Sequence, residues 1–199
     1  MKYPSTINNL IECFKKLPGI GEKTAERMAL STLDIDDEIL DLFSSSLKDV
    51  KKKITRCTKC NNLAEGDLCE ICKMSNRDLK TICVVEEPRN VVIFEKMGSY
   101  KGLYHVLDGL ISPLDGIEPS DININSLVDR IEKENIEEVI IAVKPSIEGE
   151  TTSLYISKIL EKLPVKVSKI AHGIPIGVDM EYIDALTLEL ALEDRTNLS

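Results

Sequence analysis

Apolar residues recur at helical spacing over the first third of the chain. From about residue 80 they fall in short β-branched runs separated by amphipathic stretches. Ser5 or Thr6 is placed to cap a first helix with apolar positions Leu10, Ile11, Phe14 and Leu17, and Pro18 and Gly19 end it. A second helix opens at about Glu22 and turns Ala25, Met28 and Ala29 inward. A third, over about 37–54, sets Ile39, Phe43, Leu47, Val50 and Ile54 on one stripe.

The remainder alternates between the two periods. Strands are expected over 81–86, 103–107, 137–143 and 165–171, and helices over 126–135, 151–163 and 183–194. Asn90 can cap a short helix over 91–97 closed by Gly98, although Val91-Val92-Ile93-Phe94 also suits a strand. Residues 109–121, with Pro113, Gly116 and Pro119, read as a loop. Such alternation implies a parallel sheet covered by helices. There is no internal repeat and no low-complexity tract.

The 199 residues, 43% hydrophobic and 30% charged, suffice for one large domain or two to three small ones and exclude wholesale disorder. The apolar runs 91–94 and 139–143 are too short to span a bilayer. No secretory h-region follows Met1, so a cytoplasmic protein with no membrane partner is expected. The net charge of -9 argues against nucleic acid when taken whole, but it is unevenly spread. Residues 1–60 hold 11 basic and 9 acidic side chains, whereas 61–199 hold 14 and 25.

Four of six cysteines form the pairs Cys57-x2-Cys60 and Cys69-x2-Cys72, eight residues apart. Two such knuckles bring four thiolates to one tetrahedral point, the donor set of zinc. A thioredoxin-type redox site needs one pair, not two. Four protein ligands leave no position for water, so one structural zinc ion per chain is expected; it substitutes for the core that about 20 residues cannot build. Gly66 and Asp67 suit the turn of a small ribbon between the knuckles. Cys13 and Cys83 are expected to be buried free thiols.

Between the first two helices stands Leu17-Pro18-Gly19-Ile20-Gly21-Glu22-Lys23. Gly19 and Gly21 let the backbone turn sharply and leave amides open at a helix start, where the dipole favours a phosphate. Lys23 and Arg27 lie one turn apart on the same face. Cations gain nothing from the dipole there, which makes sense if an anion docks between them. This pattern resembles the helix-hairpin-helix, a module that grips DNA backbone without reading sequence; the plainer reading is an αα-turn with surface cations. Lys48, Lys51, Lys52, Lys53, Arg56 and Lys59 extend the basic track or form a solvated face.

Glu86 and Glu87 after the first strand, followed by a β-α-β unit, suggest the Toprim fold. Active Toprim enzymes pair that glutamate with an Asp-x-Asp that holds magnesium. Here Lys144-Pro145-Ser146 follows the matching strand, and a lysine repels a divalent cation. Glu148 and Glu150 lie beyond it on a different turn. The site is expected to lack catalysis. No GxxxxGK[ST] phosphate loop exists, and His105 and His172 suit core or hydrogen-bonding roles.

The order of these parts resembles the RecR family of bacterial recombination mediators. The likeness extends to Ile82-Cys-Val-Val-Glu-Glu-Pro88, to the stretch 100–109, to Ser112-Pro-Leu-Asp-Gly-Ile117, to Glu148-Gly-Glu-Thr-Thr152 and to 171–188. Val143-Lys144 departs from it, since small polar residues usually precede that proline. The resemblance implies four parts. These are a helix-hairpin-helix DNA-binding domain over 1–55, a four-cysteine zinc finger over 56–78, a Toprim-like parallel-sheet α/β domain over 79–170 and a C-terminal segment for subunit association over 171–199. It also implies a mediator without catalysis, assembled as dimers or ring-like tetramers. Such a mediator acts with RecO or RecF to help load RecA on single strands coated by single-strand-binding protein. By motif, Lys23, Arg27, Gly19 and Gly21 contact single- or double-stranded DNA, Cys57, Cys60, Cys69 and Cys72 hold zinc, and Glu148 meets RecO or RecF. The competing readings are a magnesium-dependent Toprim nuclease or primase-like enzyme and a DNA-independent scaffold.

Overall fold

The computed structural model describes residues 3–171 and 173–197, so His172 lies outside the described residues. The chain divides into two compact units, Met1–Ile54 and Thr55–Ser199. No helix among the described residues is long and apolar enough to cross a membrane.

The first unit is helical: α1 (Ser5–Phe14), α2 (Glu22–Ser31) and α3 (Asp37–Lys53). Ile11 and Phe14 pack on Ala25 and Ala29, and the two alanines let α1 and α2 approach closely. The α1 cap differs from expectation. Pro4 occupies the N-cap position and no side chain caps the helix. The helix also ends earlier, at Phe14: Lys16 and Leu17 donate to the carbonyls of Cys13 and Phe14 in tight three-residue turns. Pro18 disfavours helical geometry at Leu17, which is left exposed. Cys13 is exposed rather than buried, because it projects away from the side of α1 that carries Ile11 and Phe14. The α3 stripe forms as a pattern, but no α3 residue is buried.

A two-stranded ribbon, β1 (Ile54–Arg56) and β2 (Leu63–Glu65), begins at the last residue of the first unit and leads into the second, followed by the short α4 (Glu70–Lys73). The body of the second unit is the expected parallel sheet. Strands β3 (Thr81–Val85), β4 (Leu103–Val106), β5 (Glu138–Ala142) and β6 (Lys166–Lys169) lie in the order β4-β3-β5-β6, with every pairing parallel. Alternate side chains divide between the faces. Ile82, Val84, Val139 and Ile141 join Leu127, Ile131, Ile156 and Leu160 in the larger core; Cys83, Val85, Tyr104 and Val106 pack with Val91. Helices α6 (Ile124–Glu134) and α7 (Ile147–Leu160) thus cover one face and α5 (Pro88–Met97) the other. α8 (Ala185–Glu193) closes the chain with no buried residue.

Local capping explains the displaced helix starts. α5 is a helix, and it begins before Asn90, with Glu87 as its cap. The Asn90 side chain reaches back to accept the Glu87 N–H at 2.8 Å. α7 begins at Ile147 rather than Thr151 because Ser146 Oγ accepts the Gly149 N–H at 3.2 Å. A Cβ at Gly149 would lie 1.9 Å from the Lys144 carbonyl oxygen, so only glycine lets α7 start this close to the loop after β5.

Candidate metal centre and nucleic-acid interface

The metal centre is built by two turns. Cys57 N–H donates to Asn62 C=O at 2.7 Å and Asn61 N–H to Cys57 C=O at 2.9 Å, which bends the first knuckle through Asn61 at φ 60°. Cys69 is the N-cap of α4, and Cys72 lies within its single turn. The four Sγ atoms lie within 4.8 Å of one another, with Cys60 and Cys69 at 3.5 Å. Zinc–thiolate bonds of about 2.3 Å in a tetrahedron set sulfurs about 3.8 Å apart, so this cage fits the ion. The Cys69 thiol is held well below its ordinary range by hydrogen bonds from the Cys60 and Cys72 thiols, which favours a thiolate there. Cys83, outside the cage, is pushed up to about 12 by burial and is an inert core thiol.

The hairpin presents a different chemistry. Gly19 adopts φ +79°, a left-handed conformation that favours glycine, and Gly21 occupies the N-cap of α2 with no side-chain cap. A Cβ at either position would meet nothing within 4 Å, so the turn surface is open. Glu22, the acidic group in the first turn of α2, is bound by Lys15 at 2.6 Å. Lys23 and Arg27 are exposed and form no ion pair with the described residues. Two unneutralised cations therefore stand beside an uncapped helix start.

The carboxyl ends of β3 and β5 form the crevice where parallel sheets commonly bind ligands. Glu86 is paired there with Lys144, Nζ to Oε1 at 3.6 Å. Glu87 pairs with Arg89. Glu148 accepts the Ser146 hydroxyl at 2.7 Å; this bond, its own backbone amide and the nearby Lys144 hold its carboxyl below the usual carboxylate range. Glu150 turns to Lys169 on β6 at 2.9 Å. An ammonium thus neutralises Glu86 in the crevice.

Comparison with known proteins places each part. Family models for the RecR helix-hairpin-helix, the RecR four-cysteine zinc finger domain, the Toprim domain and the RecR C-terminal region match residues 7–51, 54–73, 80–171 and 173–196. A curated recombination protein RecR of Staphylococcus haemolyticus is 48% identical over 198 residues, and one of Staphylococcus aureus strain JH9 is 47% identical over 198. Each comparison covers the whole of both chains. The chain belongs to the RecR family.

In this RecR chain the four cysteines expected from spacing do converge, and they form a four-cysteine zinc finger able to hold one ion. Three residues escaped sequence reasoning. Asp108, at φ 65°, binds Arg56 at 2.6 Å; the Asp108-Gly109 turn pair was its available signal. Asn61 uses its side chain to reach Val106 C=O at 3.0 Å. Arg130 is buried and donates to Tyr104 C=O at 2.7 Å, and nothing in its sequence surroundings announces that. His105 is a core residue: its Nε2 lies 2.8 Å from Asn123 C=O, and burial pushes its pKa down to about 4.

Proposed function

We propose that this chain is a noncatalytic, DNA-binding recombination mediator. Acting with RecO, RecF or both in the cytoplasm, it helps load RecA on single-stranded DNA coated by single-strand-binding protein. The observation that carries this reading is the pair Lys23 and Arg27, without an ion pair among the described residues, beside the uncapped start of α2 in a chain that matches RecR over its length. Gly19 and Gly21 let the phosphate backbone approach the amides, and the two cations neutralise it without reading bases. The Lys144–Glu86 pair supports the absence of chemistry, since an ammonium engages the glutamate and stands where a Toprim enzyme's Asp-x-Asp would hold magnesium. Glu148, on the same end of the sheet, is proposed to meet RecO or RecF.

Few phosphate contacts per subunit make a lone chain a weak binder, and assembly into dimers or tetrameric rings multiplies them. Exposed apolar side chains support self-association: Ile39, Leu42, Leu47 and Val50 on α3, and Ile176, Met180, Tyr182 and Leu186 in the C-terminal segment. The test is RecA filament assembly on single strands coated by single-strand-binding protein, with RecO present. The wild type is expected to accelerate assembly and the folded Lys23→Ala/Arg27→Ala variant to lose that effect. Full activity of the variant would favour a DNA-independent scaffold, and magnesium-dependent cleavage of the strand would replace the mediator with an enzyme.

A further inference from the structure

The outer strand of the sheet poses a problem. β4 pairs with β3 alone and lies at the sheet edge, where backbone groups ordinarily face water or invite another chain. Yet Leu103, Tyr104, His105 and Val106 are all at most 1% exposed. Their outward backbone groups find partners mainly in the zinc finger. Val106 N–H donates to Cys60 C=O at 2.9 Å, and Val106 C=O accepts from Asn61 Nδ2 at 3.0 Å. Tyr104 C=O accepts from Arg130, whose Nε lies 3.3 Å from Glu134; Glu134 in turn pairs with Lys59 of the knuckle at 3.2 Å. Ile71, between the second pair of cysteines, packs against both the cysteine cluster and the Cys83–Val85–Tyr104 cluster.

We propose that the first metal knuckle serves as the missing neighbour of β4, with the Cys60–Asn61 turn closing the sheet edge. Asn61 and Arg56 are the positioning residues that pass metal occupancy into the sheet. A bound ion fixes Cys60, which fixes the carbonyl that Val106 uses and the angle at which the Asn61 amide leaves the turn. Arg56 donates to Asn61 C=O at 3.2 Å and binds Asp108 at 2.6 Å. Asp108 N–H donates to Glu86 C=O at 2.8 Å, so the chain of contacts ends beside the crevice at the carboxyl end of the sheet. Loss of the ion therefore frees the knuckle and opens the β4 edge, which is the kind of edge that recruits other chains into aggregates.

Amide hydrogen exchange of the zinc-loaded full chain, resolved by residue, tests this. Asn61→Gly is the informative variant: glycine accepts the positive φ, the four thiolates remain and only the side-chain bridge is lost. It is expected to keep one zinc per chain, and the Val106 amide is expected to exchange about fivefold to tenfold faster, the factor for one hydrogen bond. Amides of β6, at the opposite edge, are expected to keep their rates. Chelation in the wild type is expected to accelerate Val106 further. A wild-type rate at Val106 in the zinc-loaded variant would overturn the proposal, as would a chelation effect confined to residues 55–73.

Discussion

Helices α3 and α6 carry the same kind of apolar stripe and meet opposite fates. In α6, Ile124, Leu127 and Ile131 are buried against the sheet. In α3, Ile39, Phe43, Leu47 and Val50 stay exposed, although the stripe is longer. Periodicity states which face of a helix seeks cover, and it does not say whether the cover lies in the same chain. The body completes its own core. The N-terminal unit packs α1 on α2 and leaves α3 with an open face.

The largest expected effect concerns the one region where a metal replaces apolar burial. Cys57→Ser should remove zinc and most soluble protein, read by elemental analysis and soluble yield, because the ion supplies the folding free energy of the finger. Stable, soluble protein without zinc would contradict the structural role. Next, Leu127→Ala in α6 should lower unfolding stability by about 2–5 kcal/mol in urea titrations, the range for truncating a buried leucine. Leu47→Ala in α3 should change it by less than about 0.5 kcal/mol and instead weaken self-association, followed by light scattering. Equal losses of stability at both sites would erase the contrast between the helices.

A smaller, pH-dependent effect comes from His105. Its folded pKa of about 4 lies below the ordinary value of 6.5, so the unfolded chain binds the proton first. Stability is flat above pH 6.5 on this account and falls as pH drops from 6.5 towards 4, by about 1.4 kcal/mol per unit. Between pH 6.5 and about 5 the wild type should lose about 2 kcal/mol more than His105→Gln, which keeps a donor for Asn123 C=O. Parallel profiles for the two proteins would remove His105 as the cause.

The metal centre was the most legible part, because ligand spacing is itself geometry: two knuckles place four sulfurs whatever surrounds them. The parallel sheet was legible because β-branched runs such as 81–85 and 138–142 alternate with helical stripes. Helix starts were less so, since Glu87 and Ser146 act through side-chain caps that periodicity does not contain. The sequence marks Lys144 as hostile to a metal, but its pairing with Glu86 needs two loops to meet in space, which no local pattern contains. The cover of β4 was illegible for the same reason: Asn61 and Val106 are 45 residues apart, and their bond involves a side-chain amide with no sequence signature.

The central claim is that the hairpin grips sugar–phosphate chains through main-chain amides and two cations. Fluorescence anisotropy of a labelled oligonucleotide, titrated with the wild type and with Lys23→Ala/Arg27→Ala across a salt series, tests it most directly. The wild type should bind at low ionic strength and weaken steeply with salt. The variant should bind at least about tenfold more weakly, with a salt slope shallower by about two counterions per subunit. Identical affinities and slopes for the two folded proteins, or no binding by the wild type at low salt, would contradict it.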